Sequence, residues 1–146
     1  METKIFKRLP YGNSDFRSII LENYAYVDKT RFIEMLENEI NKNQFFIRPR
    51  KFGKSLFFKT LSYYYDINYA HEFEQLFGDL YIGRHPTPKK NSYLILDFDF
   101  SGLDTSDEHS FRLSFARKIE ESVCSFLDSY NNMLSNTDIL IRQIQQ

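Results

Sequence analysis

The sequence predicts an α/β fold, an incomplete parallel sheet flanked by helices. Three observations predict it. Two apolar, β-prone runs, 44–47 and 93–100, are each followed by a segment with helical spacing. The second run, Tyr93-Leu94-Ile95-Leu96-Asp97-Phe98-Asp99-Phe100, is the kind of near-continuous apolar stretch that suits a strand covered on both faces. Between the first run and its helix stands Arg48-Pro49-Arg50-Lys51-Phe52-Gly53-Lys54-Ser55, which ends in the second half of the phosphate-loop signature G-x-x-x-x-G-K-[ST].

The elements follow in order. Met1–Asn23 opens as a basic, irregular arm, and Asn13, Ser14 and Asp15 are N-cap candidates for a short helix through Phe16, Ile19, Ile20 and Leu21. Tyr24–Val27 reads as a brief extended piece. Asp28 or Thr30 caps the next helix, in which Phe32, Ile33, Leu36 and Ile40 recur at helical spacing. A polar turn leads to the strand at 44–47. After the basic loop, Leu56, Phe57, Thr60, Leu61 and Tyr64 form one face of a helix ending near Asp66. His71 to Phe77 predicts a short helix with Gly78 as C-cap, and Leu80-Tyr81-Ile82 a small strand. Pro86, Pro88 and two lysines mark a surface connection. Beyond the second long strand, Thr105 and Glu108 have capping-box spacing. A long helix then runs to about Tyr130, with Phe111, Phe115, Ile119, Val123 and Phe126 in one stripe. Asn131 and Asn132 loosen it, and 137–144 reads as one more helical piece. Strand, helix, strand, helix argues for α/β with right-handed crossovers. The division expected is a helical arm, 1–43, and a core, 44–146.

Composition sets bounds. A chain of 146 residues can bury a real core, and its net charge of −1 gives no global pull towards nucleic acid or membrane. Affinity for phosphate must come from local clustering, for which 48–54 is the obvious place. Cys124, the single cysteine, is expected as a small packed side chain on a helix face, and excludes an intrachain disulfide or a thiolate-rich zinc site. No stretch is long and apolar enough to span a bilayer, and the expected compartment is the cytoplasm.

The loop residues have a shared chemistry. Glycine at 53 allows backbone N–H groups to approach phosphate oxygens closely. A helix starting near Ser55 presents free N–H groups and partial positive charge to the same anion. Lys54 supplies a flexible cation, and the Ser55 hydroxyl a ligand for Mg2+. Arg48 stands where the signature has its first glycine; Pro49 biases Arg48 towards an extended conformation.

The chain resembles the AAA-ATPase-like family, a P-loop NTPase group often joined to a PD-(D/E)XK nuclease-like domain. The residues that carry the resemblance are Leu9-Pro10-Tyr11-Gly12 with Asp15-Phe16, Tyr26 to Thr30, Ile47 to Leu56, Leu76-Phe77-Gly78, and Tyr93 to Gly102. The resemblance implies that the variant Walker A loop, Arg50, Lys51, Phe52, Gly53, Lys54, Ser55 and Leu56, binds ATP, with Mg2+ at Ser55 and Tyr26–Thr30 near the base. In that family the acidic Walker B strand follows the long helix, and this chain stops at Gln146 before any such strand. Asp97 and Asp99 are therefore read as strand-end and turn acids. The chain is expected to be the N-terminal portion of an ATPase, binding nucleotide without complete catalytic machinery and open to self-association through the unfinished sheet or last helix. The alternative is a nucleic-acid-binding or other non-nucleotide interaction module that uses the basic, aromatic-rich loop and helix: Arg48, Arg50, Lys51, Lys59 and the aromatics beside them. In a nuclease-linked parent, nucleic acid is also an expected partner.

Overall fold

Several helices of this chain begin where a side chain takes one of their first free N–H groups. The computed structural model describes residues 7–39 and 43–144, with side chains described as far as Leu134. Helix α1, Phe16–Leu21, starts as Asp15 accepts a hydrogen bond from Ser18 N at 2.9 Å. Before α2, Arg31–Asn38, Asp28 Oδ1 accepts from Thr30 N at 2.8 Å and from the Thr30 hydroxyl at 2.7 Å. Helix α3, Lys54–Tyr65, follows Gly53, whose φ of 75° is a left-handed conformation that costs glycine little. Asp66 then caps a 3-10 turn, Ile67–Glu72, by accepting from Asn68 N at 2.9 Å. Helices α4, Phe73–Phe77, and α5, Tyr81–Arg84, complete the first of two compact units, Met1–Tyr93.

The core of this unit joins helices that are far apart in sequence. Phe16, Ile33, Tyr64, Phe73, Leu76, Phe77 and Ile82 form one buried cluster. Phe77 stacks on Phe16 at 5.0 Å and on Phe73 at 5.4 Å, and meets the Tyr64 ring edge-on at 5.5 Å. Burying each such side chain contributes roughly 1.5–3 kcal/mol. The three consecutive tyrosines divide as their polar ends require. Tyr64 is fully buried, and its hydroxyl accepts from Thr87 N at 2.8 Å. Tyr63 donates to Asp15 at 3.0 Å and Tyr65 to Glu37 at 3.0 Å. Burial and the carboxylate partner together push both of these phenols above the usual tyrosine range.

The parallel sheet expected from the sequence is absent among the described residues. One isolated parallel bridge, Asp66 to Tyr93, is the whole of the β pairing there. Residues 44–47 form no regular element; Phe45 and Ile47 are 89% and 84% exposed, and Phe46 packs against Phe57 and Phe58. The α/β, P-loop NTPase-like fold class is thus corrected to an essentially all-helical one. A strand is made by the backbone of its neighbour, and apolar, β-prone residues without one remain bare extended chain.

Two smaller expectations are also corrected. Leu80-Tyr81-Ile82 leads into helix α5, because Asp28 Oδ2 accepts from Tyr81 N at 2.7 Å and Thr30 Oγ1 from Ile82 N at 3.1 Å. Two capping acceptors arrive from over 50 residues away. Gly78 ends α4 with a right-handed φ of −52°, so it is no left-handed cap. Gly83 is the glycine that packing demands: a Cβ there would lie 1.9 Å from the carbonyl oxygen of Phe77.

The second unit, Leu94–Gln146, is built on one long helix. Its start, 94–100, forms no regular element and has no partner strand among the described residues; Ile95 N donates to the Tyr130 hydroxyl at 2.9 Å, and Asp99 accepts from Ser101 N at 2.9 Å in the turn that follows. Helix α6, Glu108–Ile144, is capped by Asp107, which accepts from Ser110 N at 2.9 Å. Glu108 is the first residue of α6 and pairs with Arg112 at 2.7 Å, and with Asp107 as the cap the Thr105–Glu108 capping box does not form. Tyr130, at φ −117° and ψ 15°, breaks the helix where the sequence loosens. Cys124 is exposed, contrary to its expected packing. No helix among the described residues is long and apolar enough to cross a membrane.

Candidate functional site

The segment that turns from extended chain into α3 carries an unbroken run of positive charge. Between Glu39 and Asp66 there is no carboxylate, whereas Lys42, Arg48, Arg50, Lys51, Lys54 and Lys59 all fall there. In a chain of net charge −1 this is a strong local asymmetry. Arg50 and Lys51 are exposed and have no paired carboxylate among the described residues. Lys51 holds a φ of 66°, in the left-handed region that non-glycine residues enter at a cost. Together with Gly53 it turns the chain sharply, and Phe52 between them is 63% exposed.

Lys54 decides the shape of this loop. Its ammonium donates to the carbonyl oxygens of Arg48 and, at 3.3 Å, Pro49. The side chain expected to reach outward to a phosphate is instead folded back onto the loop's own backbone. Leu56 anchors the loop by packing on the core cluster, and Ser55 lies exposed in the first turn of α3. The residues expected as a site are consecutive, Arg50 to Gly53 in the turn and Lys54 to Leu56 in the first turn of α3. Their roles divide into exposed cation and aromatic (Arg50, Lys51, Phe52), turn (Gly53), tie (Lys54) and anchor (Leu56).

One further cation joins them from a distant part of the chain. Lys29, just before α2, brings its ammonium to 3.8 Å from the point where a Cβ on Gly53 would sit. Three open clefts meet at Phe52 and Gly53. One, of about 600 Å³, runs along 49–56 towards Pro10 and Asn13. A second, of about 340 Å³, is lined by Tyr26, Val27 and Lys29. The third, of about 430 Å³, lies between α2, Phe46 and the loop, and is predominantly apolar.

These features overturn the nucleotide expectations. A phosphate loop depends on a sheet to aim its strand and helix, and no sheet is present among the described residues. No cluster of three or more His, Cys, Asp or Glu side chains that could hold a metal ion occurs among them either. ATP and Mg2+ as cofactors, nucleotide as partner, an ATPase parent activity and the Walker A assignment are corrected accordingly. Self-association through an unfinished sheet goes with them, since the described residues hold no sheet to finish.

Comparison with known proteins places the sequence pattern nonetheless. Residues 10–146 match the model of the AAA-ATPase-like family, described as "Predicted AAA-ATPase". The chain is also 45% identical over 58 residues to an "Uncharacterized protein in vnfD 5'region" of Azotobacter chroococcum mcd 1. That alignment covers 38% of this chain and 11% of the relative, so the chain spans only a small part of the length of the curated protein it matches. No solved structure matches. The P-loop NTPase fold implied by the resemblance is not the fold seen here. By the extent of the family match over its sequence, the chain belongs to the predicted AAA-ATPase family.

Proposed function

We propose that the basic, aromatic loop and the start of α3 form an interaction surface for single-stranded nucleic acid. The observation that supports this reading is the acid-free interval from Glu39 to Asp66, in which exposed Phe45, Phe52 and Phe58 alternate with Arg48, Arg50, Lys51 and Lys59. Cations neutralise successive phosphates and release counterions, while aromatic rings offer faces on which unpaired bases stack. In this reading Arg50 and Lys51 contact the backbone, Phe52 stacks on a base, Gly53 and Lys54 hold the loop's shape, and Ser55 and Leu56 join it to α3. Tyr63, Tyr64 and Tyr65 take no part, because all three hydroxyls are engaged within the first unit. We place the protein in the cytoplasm, in keeping with its single cysteine.

The test is fluorescence anisotropy with a labelled oligo-dT strand of about twelve nucleotides, titrated across a range of salt. Binding is expected to weaken steeply with salt and to be indifferent to added ATP. The double variant R50Q/K51Q is expected to lower the slope of log K against log salt by about 0.7 for each phosphate it leaves without a cation. Equal slope and affinity in the variant, measured on folded protein, would overturn the assignment.

A further inference from the structure

The cleft between α2 and the loop is shaped for more than a backbone contact. Its walls include the rings of Phe32, Phe46 and Phe57 with Leu36, an apolar and aromatic lining suited to a flat, π-rich group. It shares Phe52, Gly53 and Lys54 with the cleft that runs along the loop, so the two adjoin. Lys29 and Arg48 add positive charge to its lining. Glu39, the C-terminal flanking residue of α2, is the single carboxylate among the residues that line it. It is exposed, and no described residue is paired with it.

We propose that this cleft receives one unstacked base of a bound single strand, and that Glu39 selects bases carrying an exocyclic amine. The inference rests on the single-strand reading above and adds a specificity to it. A carboxylate accepts from the amine of cytosine and meets only an acceptor at the corresponding atom of thymine. The cations beside it match the phosphates flanking the inserted base. The occupant is thus fixed by three groups: aromatic walls for the ring, cations for the backbone, one carboxylate for the amine.

The experiment compares oligo-dC with oligo-dT of equal length on the full chain at one low salt concentration. Wild type is expected to bind oligo-dC about tenfold more tightly, within the range for one well-placed base contact. E39Q, whose amide both donates and accepts, is expected to lose that ratio. A fluorescent 2-aminopurine placed within the oligo-dT strand, itself an amine-bearing base, is expected to change emission on binding wild type. Equal affinity of wild type for the two strands, or a dC preference that survives in E39Q, overturns the cleft proposal and leaves the loop reading standing. Failure of both strands to bind overturns the cleft proposal and the loop reading together.

Discussion

Two regions of the first unit are equally rich in aromatic rings and have opposite fates. Around Phe77, the rings of Phe16, Tyr64 and Phe73 are at most 5% exposed. Around Gly53, Phe45 and Phe52 stand 89% and 63% exposed. Composition does not separate them; the company of polar groups does. In the core region the hydroxyls of Tyr63, Tyr64 and Tyr65 and the start of α5 have partners supplied by other segments: Asp15, Thr87, Glu37 and Asp28. Carboxylates there close the structure on itself. Between Glu39 and Asp66 there is none, and Phe45 and Phe52 stand in solvent beside Arg48, Arg50 and Lys51. The lesson is that an aromatic residue is buried where its neighbours' charges can be satisfied internally, and presented where they cannot.

That contrast can be broken at several points. Removing its centre, with F77A, is expected to cost about 3–5 kcal/mol in urea unfolding. A loss under about 1 kcal/mol would mean the cluster is not the unit's core. G83A forces a Cβ against the Phe77 carbonyl and is expected to cost about 1–3 kcal/mol by the same measurement. D15A removes both the α1 cap and the acceptor of the Tyr63 hydroxyl, and is expected to cost roughly 1–2 kcal/mol. On the other side of the comparison, R50Q/K51Q is expected to leave the urea midpoint within about 0.5 kcal/mol of wild type. A clear loss of stability there would show that the loop is structural after all.

Alkaline pH sharpens the same contrast. Tyr63 and Tyr65 have phenols raised above the ordinary value of 10.0 by burial and by Asp15 and Glu37. The unfolded chain releases its phenolic protons first, so this contribution to stability is fully present below about pH 10 and is lost as pH rises through the folded-state values. The urea midpoint is expected to fall above pH 10, and to fall less steeply in Y65F. An unchanged alkaline slope in Y65F would show that the Glu37 contact does not hold the proton.

Much of the helical framework was legible in the residues. Asp15 at α1, the α3 stripe through Thr60 and Tyr64, and the loosening at Asn131 could be read locally, since caps and periodicity act within a turn or two. The sheet was misread for a physical reason. Phe45 to Ile47 and Leu94 to Phe100 have the composition of strands, but pairing is a property of two backbones and cannot be seen in one. Helix α5 was misread in the mirror-image way, its start being organised by Asp28 and Thr30 from far upstream. At the site, the density of charge was plain in the sequence. What it could not disclose was the direction of Lys54, since a lysine beside glycine serves an outside anion and an inside carbonyl with equal ease. Nor could spacing alone fix the approach of Lys29 to Gly53.

The inward turn of Lys54 has a kinetic consequence. A cation that clasps two carbonyls ties the loop to the start of α3 before any partner arrives, which lowers the ordering that binding has to supply. Binding governed in this way should be fast to form and sensitive to shape. K54M, which keeps much of the bulk and removes the clasp, should slow association more than it hastens release.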